Sequence, residues 1–204
     1  MTSAEAIDQA AETVSDQLIR QARQGHPAAW ERLIRDHEEH IFRLAYLVLR
    51  DAAEAEDVAQ ETFVRAFLAL DDFELGRPLR PWLTRIAVNL ARNRRRALGR
   101  YLKYLWQAWN QEPKPPPESK PMERAVEGRW RAGRLWEAVQ RLRQIDQDVI
   151  YLRYFLGMSE AEMAAALEVA PGTVKSRLHR ALKRLRQLVE VDFPELAPLI
   201  EEAE

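Results

Sequence analysis

The segment from Glu168 to Arg186 contains the residues whose types and spacing point most directly to chemistry. Cations recur along it at helical spacing, and no acidic residue follows Glu168 within the segment. At about 100° per residue, one side forms an apolar stripe of Val174, Leu178, Ala181 and Leu185. The opposite side carries Gly172, Ser176, His179, Arg180 and Lys183, and it is flanked by Lys175, Arg177 and Arg184. Short groups near the helix start can reach base edges while long cations reach phosphates, so the pattern predicts nucleic-acid binding.

A second short helix is predicted just upstream, from Ser159 to Glu168. Ser159 fits its N-cap, and Glu162 fits the capping-box position. Two helices joined by a few residues form a helix-turn-helix, whose second helix enters the major groove of duplex DNA. Glu168 stands where the turn favours glycine, and Ala170 stands where the cap favours serine or asparagine. A solvated basic helix without a ligand is the alternative interpretation of the basic segment.

An acidic side distinguishes the helix predicted from Asp51 to Leu70. Its carboxylates and one amide lie together: Glu54, Glu56, Asp57, Gln60 and Glu61. Acids in the first turns of a helix interact favourably with its dipole, which explains part of this charge. The face as a whole repels DNA, so it predicts contact with a protein that carries basic residues.

A basic block follows in the next predicted helix, which begins after a loop with Gly76, Pro78 and Pro81. The cations of this block are Arg92, Arg94, Arg95, Arg96, Arg100 and Lys103. The formal net charge of -1 averages over blocks of opposite sign, since 31 Lys and Arg oppose 32 Asp and Glu. Distribution matters more than the total, and it predicts two basic surfaces and one acidic surface.

Two histidines in the run His37, Glu38, Glu39, His40 raise the question of a metal site or an enzyme. A two-histidine metalloprotease helix needs i, i+4 spacing, whereas these histidines are at i, i+3 and no third ligand is evident. The chain also lacks a paired nucleophile and a phosphate loop. The sequence therefore predicts no metal, no cofactor and no catalytic residue.

These features belong to an all-α fold of two small helical domains. We predict a first domain at 16–109, a Pro-rich linker at 110–121, a second domain with the helix-turn-helix at 122–191 and an acidic tail at 192–204. The linker packs five prolines among polar residues and cannot sustain a helix. The 204 residues include no long apolar run and no cysteine. We therefore expect a cytoplasmic protein without a membrane span.

Two separated motifs resemble a known family. The first motif is EAEDVAQETFVRAF followed by PWLTRIAVNLARNRRR. The second, after the linker, is YLRYFLGMSEAEMAAALEVAPGTVKSRLHRALKRLR. Both are similar to bacterial RNA polymerase sigma factors of the extracytoplasmic-function class. The resemblance runs from about Ala28 to Arg186. It implies a transcription initiation factor that binds core RNA polymerase and directs it to promoter DNA.

The resemblance also implies roles for individual residues. The segment that grips the polymerase's largest subunit corresponds to Glu56, Asp57, Gln60 and Glu61. The part that reads the minus-ten element and holds its unpaired strand corresponds to Arg80, Trp82, Arg85, Asn89, Arg92, Asn93, Arg95 and Arg96. For Trp82, packing at the helix start is the stronger expectation. The reader of the minus-thirty-five element corresponds to Gly172, Thr173, Lys175, Ser176, Arg177, His179 and Arg180.

Departures from the family pattern affect the promoter sequence rather than the class. Asn93 replaces the usual aspartate, and Arg143 stands where a proline is usual. The family often uses an anti-sigma factor, so such a protein is an expected partner. A polymerase-independent helix-turn-helix regulator remains the alternative, and it predicts a stable dimer on a palindromic site.

Overall fold

The structure is a computed structural model that describes residues 14–108 and 125–196, with no account of the side chains at 99–132. Eight α-helices occur in these ranges: α1 (14–23), α2 (Pro27–Leu49), α3 (Ala52–Leu68), α4 (Leu79–Ala108), α5 (Ala125–Arg141), α6 (Gln144–Ile150), α7 (Glu160–Leu167) and α8 (Pro171–Asp192). A π-helical segment, Tyr151–Phe155, follows α6, and two 3₁₀ turns, Leu70–Asp72 and Pro194–Leu196, complete the list. No strand occurs in the described ranges, and the predicted all-α fold is confirmed. The predicted linker at 110–121 lies outside the described residues.

The chain divides into two compact units. The first unit comprises 1–104 together with 161–169, and the second comprises 105–160 together with 170–204. In the first unit, α2 packs against α3. Their apolar faces supply fully buried side chains, including Leu33, Ile41 and Leu44. These residues recur at helical spacing, which explains why a single stripe of α2 faces the core.

The core of the second unit joins α5, α6 and α8. Ala138, Val189, Phe193 and Leu196 form one buried cluster. Phe193 and Leu196 belong to the segment predicted as an acidic tail, yet both side chains are fully buried. The packed part of this unit therefore extends past Asp192 to Leu196, because two large apolar groups alternate there with the acids. Residues 197–204 lie outside the described residues.

The turn between α7 and α8 has the backbone conformation that its position predicts. Glu168 has φ 53°, in the left-handed region where glycine is favoured. Ala170 is the N-cap of α8, with φ -63° and ψ 146°, and its side chain makes no cap hydrogen bond. Pro171 follows at the first helical position. The turn thus contains two residues, Glu168 and Ala170, that are unfavourable at their positions and lower the stability of the fold.

Candidate polymerase and nucleic-acid surfaces

The acidic side of α3 faces solvent because the opposite side is buried. Asp51 caps this helix by accepting a hydrogen bond from the Glu54 backbone N–H at 2.9 Å. Ala55, Val58 and Phe63 are buried. The predicted polymerase-binding residues Glu56, Asp57 and Gln60 are exposed, and Glu61 is half-buried. The geometry brings all four onto one accessible face.

A groove of about 480 Å³ lies between α2 and α3, next to this acidic face. Apolar groups from Ile34, Phe42 and Phe63 line it together with Glu56 and Gln60. Phe42 is 37% exposed, although it belongs to a helix that packs against α3. Phe42 was not predicted to have a role, because only the fold shows that its ring is partly exposed. An apolar floor with an acidic rim suits an amphipathic partner that carries cations.

The loop before α4 is held in place by contacts from α1. The Arg23 guanidinium donates to the Leu70 carbonyl oxygen at 2.8 Å and 3.0 Å, and it also donates to the carbonyl of Phe73. Both carboxylate oxygens of Asp16 accept from the Gly76 backbone N–H at 3.0 Å. Gly76 has φ 82°, which a residue with a Cβ rarely adopts. These bonds fix the loop that leads into the predicted minus-ten surface.

Trp82 packs as its position at the helix start predicted. Its ring lies 5.1 Å from the Phe73 ring at an interplanar angle of 61°. The residue is half-buried, and Phe73 is almost fully buried. The edge-to-face contact stabilises the junction between the loop and α4.

Arg80 is positioned by a histidine. Its Nε donates to His40 Nδ1 at 3.3 Å, while His40 Nε2 lies 2.9 Å from Thr84 Oγ1. Burial and the Arg80 charge lower the pKa of His40 to about 4. Burial also lowers the pKa of His37. His40 thus links Arg80 to Thr84 within the fold. No set of three metal-ligating side chains occurs among the described residues.

The remaining residues predicted to read the minus-ten element follow one another along α4. Asn89, Asn93 and Arg96 are exposed, whereas Arg85, Arg92 and Arg95 are half-buried. Arg96 Nη2 donates to Asn93 Oδ1 at 2.7 Å. Within the first unit, Arg85 Nη1 donates to Glu168 Oε1 at 2.8 Å. The helix thus presents amides and guanidinium groups in a row, which is the set that an unpaired strand requires.

The α8 residues predicted to read the minus-thirty-five element lie on its outer side. Gly172, Lys175, Ser176, His179 and Arg180 are exposed, and Thr173 and Arg177 are half-buried. Arg180 Nε donates to the Ser176 carbonyl oxygen at 3.0 Å. Ser176 Oγ donates to the Thr173 carbonyl oxygen at 3.1 Å. The start of α8 therefore offers short polar groups flanked by cations, as groove reading requires.

The prediction that Arg184 reaches phosphates is wrong. Its Nη1 donates to both carboxylate oxygens of Asp146, at 2.9 Å and 3.0 Å. The Asp146 side chain is only 3% exposed, and Arg143 Nε also donates to it at 3.1 Å. A buried carboxylate needs a charged partner, because burial without one is costly. Arg184 therefore binds Asp146, although the helical pattern predicted that Arg184 flanks the outer face.

No helix among the described residues has the length and apolarity that crossing a bilayer demands. The described residues present an acidic face on α3 and basic faces on α4 and α8. The family description "Sigma-70 region 2" matches residues 33–101, and "Sigma-70, region 4" matches residues 132–185.

Individual relatives agree with both matches. The RNA polymerase sigma factor NccH of Alcaligenes xylosoxydans is 32% identical over 179 residues, which cover 87% of this chain and 96% of that protein. The ECF RNA polymerase sigma factor SigW of Bacillus subtilis is 30% identical over 174 residues, with coverages of 83% and 93%. This chain belongs to the extracytoplasmic-function class of the sigma-70 family. It is a promoter-directing RNA polymerase sigma factor.

Solved structures share the fold. CnrH in complex with the cytosolic domain of CnrY has a TM-score of 0.64 and 29% identity, covering 88% of this chain and 99% of that one. The sigma factor RpoE bound to the anti-sigma factor NepR, from Bartonella quintana, has a TM-score of 0.57 and 25% identity, covering 79% and 97%.

Proposed function

We propose that this sigma factor binds core RNA polymerase through the exposed acidic face of α3, in particular Glu56, Asp57, Gln60 and Glu61. The observation that carries the proposal is a compact acidic surface beside an apolar groove, on the same unit as the basic helix α4. Acidic groups beside an apolar floor complement a helix that carries both apolar and basic side chains. DNA would be repelled from this surface, so a protein is its natural partner.

We assign the two basic surfaces to two promoter elements. The domain at 16–109 reads the minus-ten element through α4 and the loop before it, where polar side chains can hold bases and arginines can hold phosphates. The domain at 122–191 reads the minus-thirty-five element through the start of α8. Polymerase sets their spacing, so two weak contacts act together through effective concentration. No step of this function requires bond chemistry, and we class the protein as a non-enzymatic factor of the cytoplasm.

Anti-sigma factors form a second class of partner. CnrH and RpoE are each recorded in complex with another protein, which for RpoE is the anti-sigma factor NepR. The groove between α2 and α3 supports a similar partner here, because an amphipathic segment seated in it would cover Glu56 and Gln60. Such a partner would compete directly with polymerase.

The test is a charge reversal on α3. Asp57→Arg with Glu61→Arg should weaken binding to purified bacterial core RNA polymerase by about 100-fold or more, because like charges would then face each other. Affinity is measured by fluorescence anisotropy of the labelled sigma factor, and circular dichroism checks that the helical content is unchanged.

The matched control reverses two exposed acids on other helices. Glu160→Arg with Glu190→Arg adds the same charge to the chain and should leave polymerase affinity within about threefold, since neither residue belongs to α3. Equal losses in both variants would show a general charge effect and would overturn the assignment of this face.

A further inference from the structure

The loop between α3 and α4 has an exposed tip, residues 74–78. The Arg77 backbone N–H donates to the Glu74 carbonyl oxygen at 3.4 Å, and Gly76 stands at the third position of this turn with φ 82°. A Cβ on Gly76 would meet no atom within 4 Å, so the backbone and not the packing requires glycine here. Leu75 is half-buried and the other residues of the tip are exposed. Packing therefore does little to fix the tip.

The two ends of the loop, in contrast, are held firmly. Phe73 is 5% exposed and Leu79 is 3% exposed. The Arg23 guanidinium of α1 donates to the carbonyl oxygens of Leu70 and Phe73, and its side chain is only 23% exposed. The path of the chain between these fixed points depends on contacts that the tip itself makes.

Asp16 on α1 supplies such a contact. Both of its carboxylate oxygens lie 3.0 Å from the Gly76 backbone nitrogen. A hydrogen bond to an ionised carboxylate is stronger than one between neutral groups. Asp16 and Arg23 are about two turns apart on the same side of α1. Ile19, between them, is fully buried, so the helix that carries both contacts is itself anchored in the core.

A tip that is already in place favours base recognition. The contacts that read an extruded base are short and directional, so they depend steeply on the position of the loop. A loop that becomes ordered only on binding loses affinity and discrimination to the cost of ordering it. The tip directly precedes Arg80 and Trp82, which are among the residues assigned to the minus-ten element. Its position in the free protein therefore matters to that surface.

We propose that α1 is a positioning element for minus-ten recognition, in which Asp16 holds the loop tip through the Gly76 N–H and Arg23 holds the start of the loop. Asp16 is a positioning residue, because it acts on DNA only through the loop. The inference rests on the proposed function and assigns part of its base selectivity to a helix that precedes the residues matching region 2, 33–101.

The first experiment tests the tether in the free, full-length protein. Selective nitrogen-15 labelling of the seven glycines gives few amide signals, and the signal lost in Gly76→Ala identifies Gly76. Asp16→Ala should raise the solvent exchange rate of this amide about fivefold, whereas Asp16→Asn keeps an acceptor oxygen and should stay within about twofold. Gln17→Ala, at an exposed position of the same helix, is the control and should change nothing. An unchanged rate in Asp16→Ala would overturn the tether.

The second experiment measures base selectivity with the holoenzyme. Wild-type holoenzyme first maps start sites on fragmented genomic DNA, and one mapped promoter is then randomised at its minus-ten bases and transcribed as a library. Asp16→Ala should weaken the preference for the best base by about fivefold at one or more of these positions. Preferences in the minus-thirty-five element and affinity for core polymerase should stay within about twofold. Asp16→Asn should restore most of the lost selectivity.

The comparison between variants separates positioning from charge and from stability. Glu31→Ala removes the same charge from an exposed position on α2 and should leave the base preferences unchanged. A merely destabilised protein would lower all transcripts alike. Equal losses in Asp16→Ala and Asp16→Asn would overturn the proposal, because charge and not the hydrogen bond would then be responsible. Minus-ten preferences that Asp16→Ala leaves intact would refute the positioning role alone, whereas a wild-type holoenzyme that starts no transcript would refute the proposed function.

Discussion

At the scale of single residues, His40 shows how the fold fixes a protonation state. The Thr84 hydroxyl donates to the Arg80 carbonyl oxygen at 2.7 Å, so its oxygen is left to accept from His40 Nε2–H. Arg80 Nε–H donates to the other ring nitrogen, Nδ1. A doubly protonated ring could not accept this bond. The geometry therefore requires a neutral imidazole with its proton on Nε2, which agrees with the lowered pKa.

This arrangement predicts that acid destabilises the first unit. The pKa of His40 falls from 6.5 in the unfolded chain to about 4 in the fold, so the unfolded chain binds more protons between these values. Stability is thus complete above pH 6.5 and is lost as the pH falls towards 4. Arg80, His37 and Arg43 act in the same direction by repelling a proton on His40, while Asp36 opposes the shift of His37.

We expect His40 to remove about 1 to 2 kcal/mol of unfolding free energy between pH 7 and pH 5, allowing for its partial exposure. Urea unfolding at both pH values measures the change in wild type and in His40→Gln. The variant keeps polar groups but does not titrate, so it should lose less stability than wild type. Equal pH dependence in the two proteins would contradict this account of His40.

Asp146 and Arg184 form the second decisive pair at this scale. Arg184→Gln leaves the buried carboxylate with Arg143 alone, which should cost about 2 kcal/mol of stability. Urea unfolding measures the loss. The control is Lys183→Gln, which removes an exposed cation from the neighbouring position and should change stability by less than about 0.5 kcal/mol.

Neither the contact of His40 with Arg80 nor that of Asp146 with Arg184 was predictable from the sequence. Helical periodicity places Arg184 beside the outer face of α8, but it says nothing about a carboxylate on another helix. Asp146 looks like an ordinary acid in the first turn of α6, where the helix dipole already accounts for it. The three-dimensional packing of α6 against α8 decides the partner.

At the scale of elements, the turn before α8 was predictable because it depends on local backbone geometry. The sequence indicated a glycine-favouring position at Glu168 and a capping position at Ala170. The structure confirms both, through φ 53° at Glu168 and the uncapped N-terminus at Ala170. Local rules of this kind need no knowledge of the rest of the fold.

Repairing these two positions should stabilise the protein. Glu168→Gly relieves the left-handed strain and loses only an exposed ion pair, while Ala170→Ser supplies a cap. Together they should add about 1 to 2 kcal/mol, measured as a higher urea midpoint. Ala165→Gly, at an exposed interior position of α7, should instead lose stability. A double variant no more stable than wild type would refute the reading of this turn.

At the scale of the whole molecule, the sequence predicted the fold class and most helix positions because amphipathic periodicity is strong in this chain. The end of the second unit was less predictable. An acidic composition suggested a tail after Val191, whereas two apolar side chains, Phe193 and Leu196, hold that segment in the core. Composition averages over a segment, but burial depends on individual side chains.

The net charge of -1 illustrates the same point for function. A nearly neutral chain contains one acidic and two basic surfaces, and each surface suits a different macromolecule. The resemblance to sigma factors implies which residues of these surfaces meet polymerase, the minus-ten element and the minus-thirty-five element, and the separation of charge agrees with that assignment.

The most direct test is transcription in vitro from fragmented genomic DNA of the source organism, with its core RNA polymerase and with or without this protein. We predict new transcripts that start downstream of two unlike sequence elements at a fixed separation, and we predict that Asp57→Arg with Glu61→Arg abolishes them. A protein that adds no start site, yet binds a palindromic duplex as a dimer without polymerase, would contradict the account.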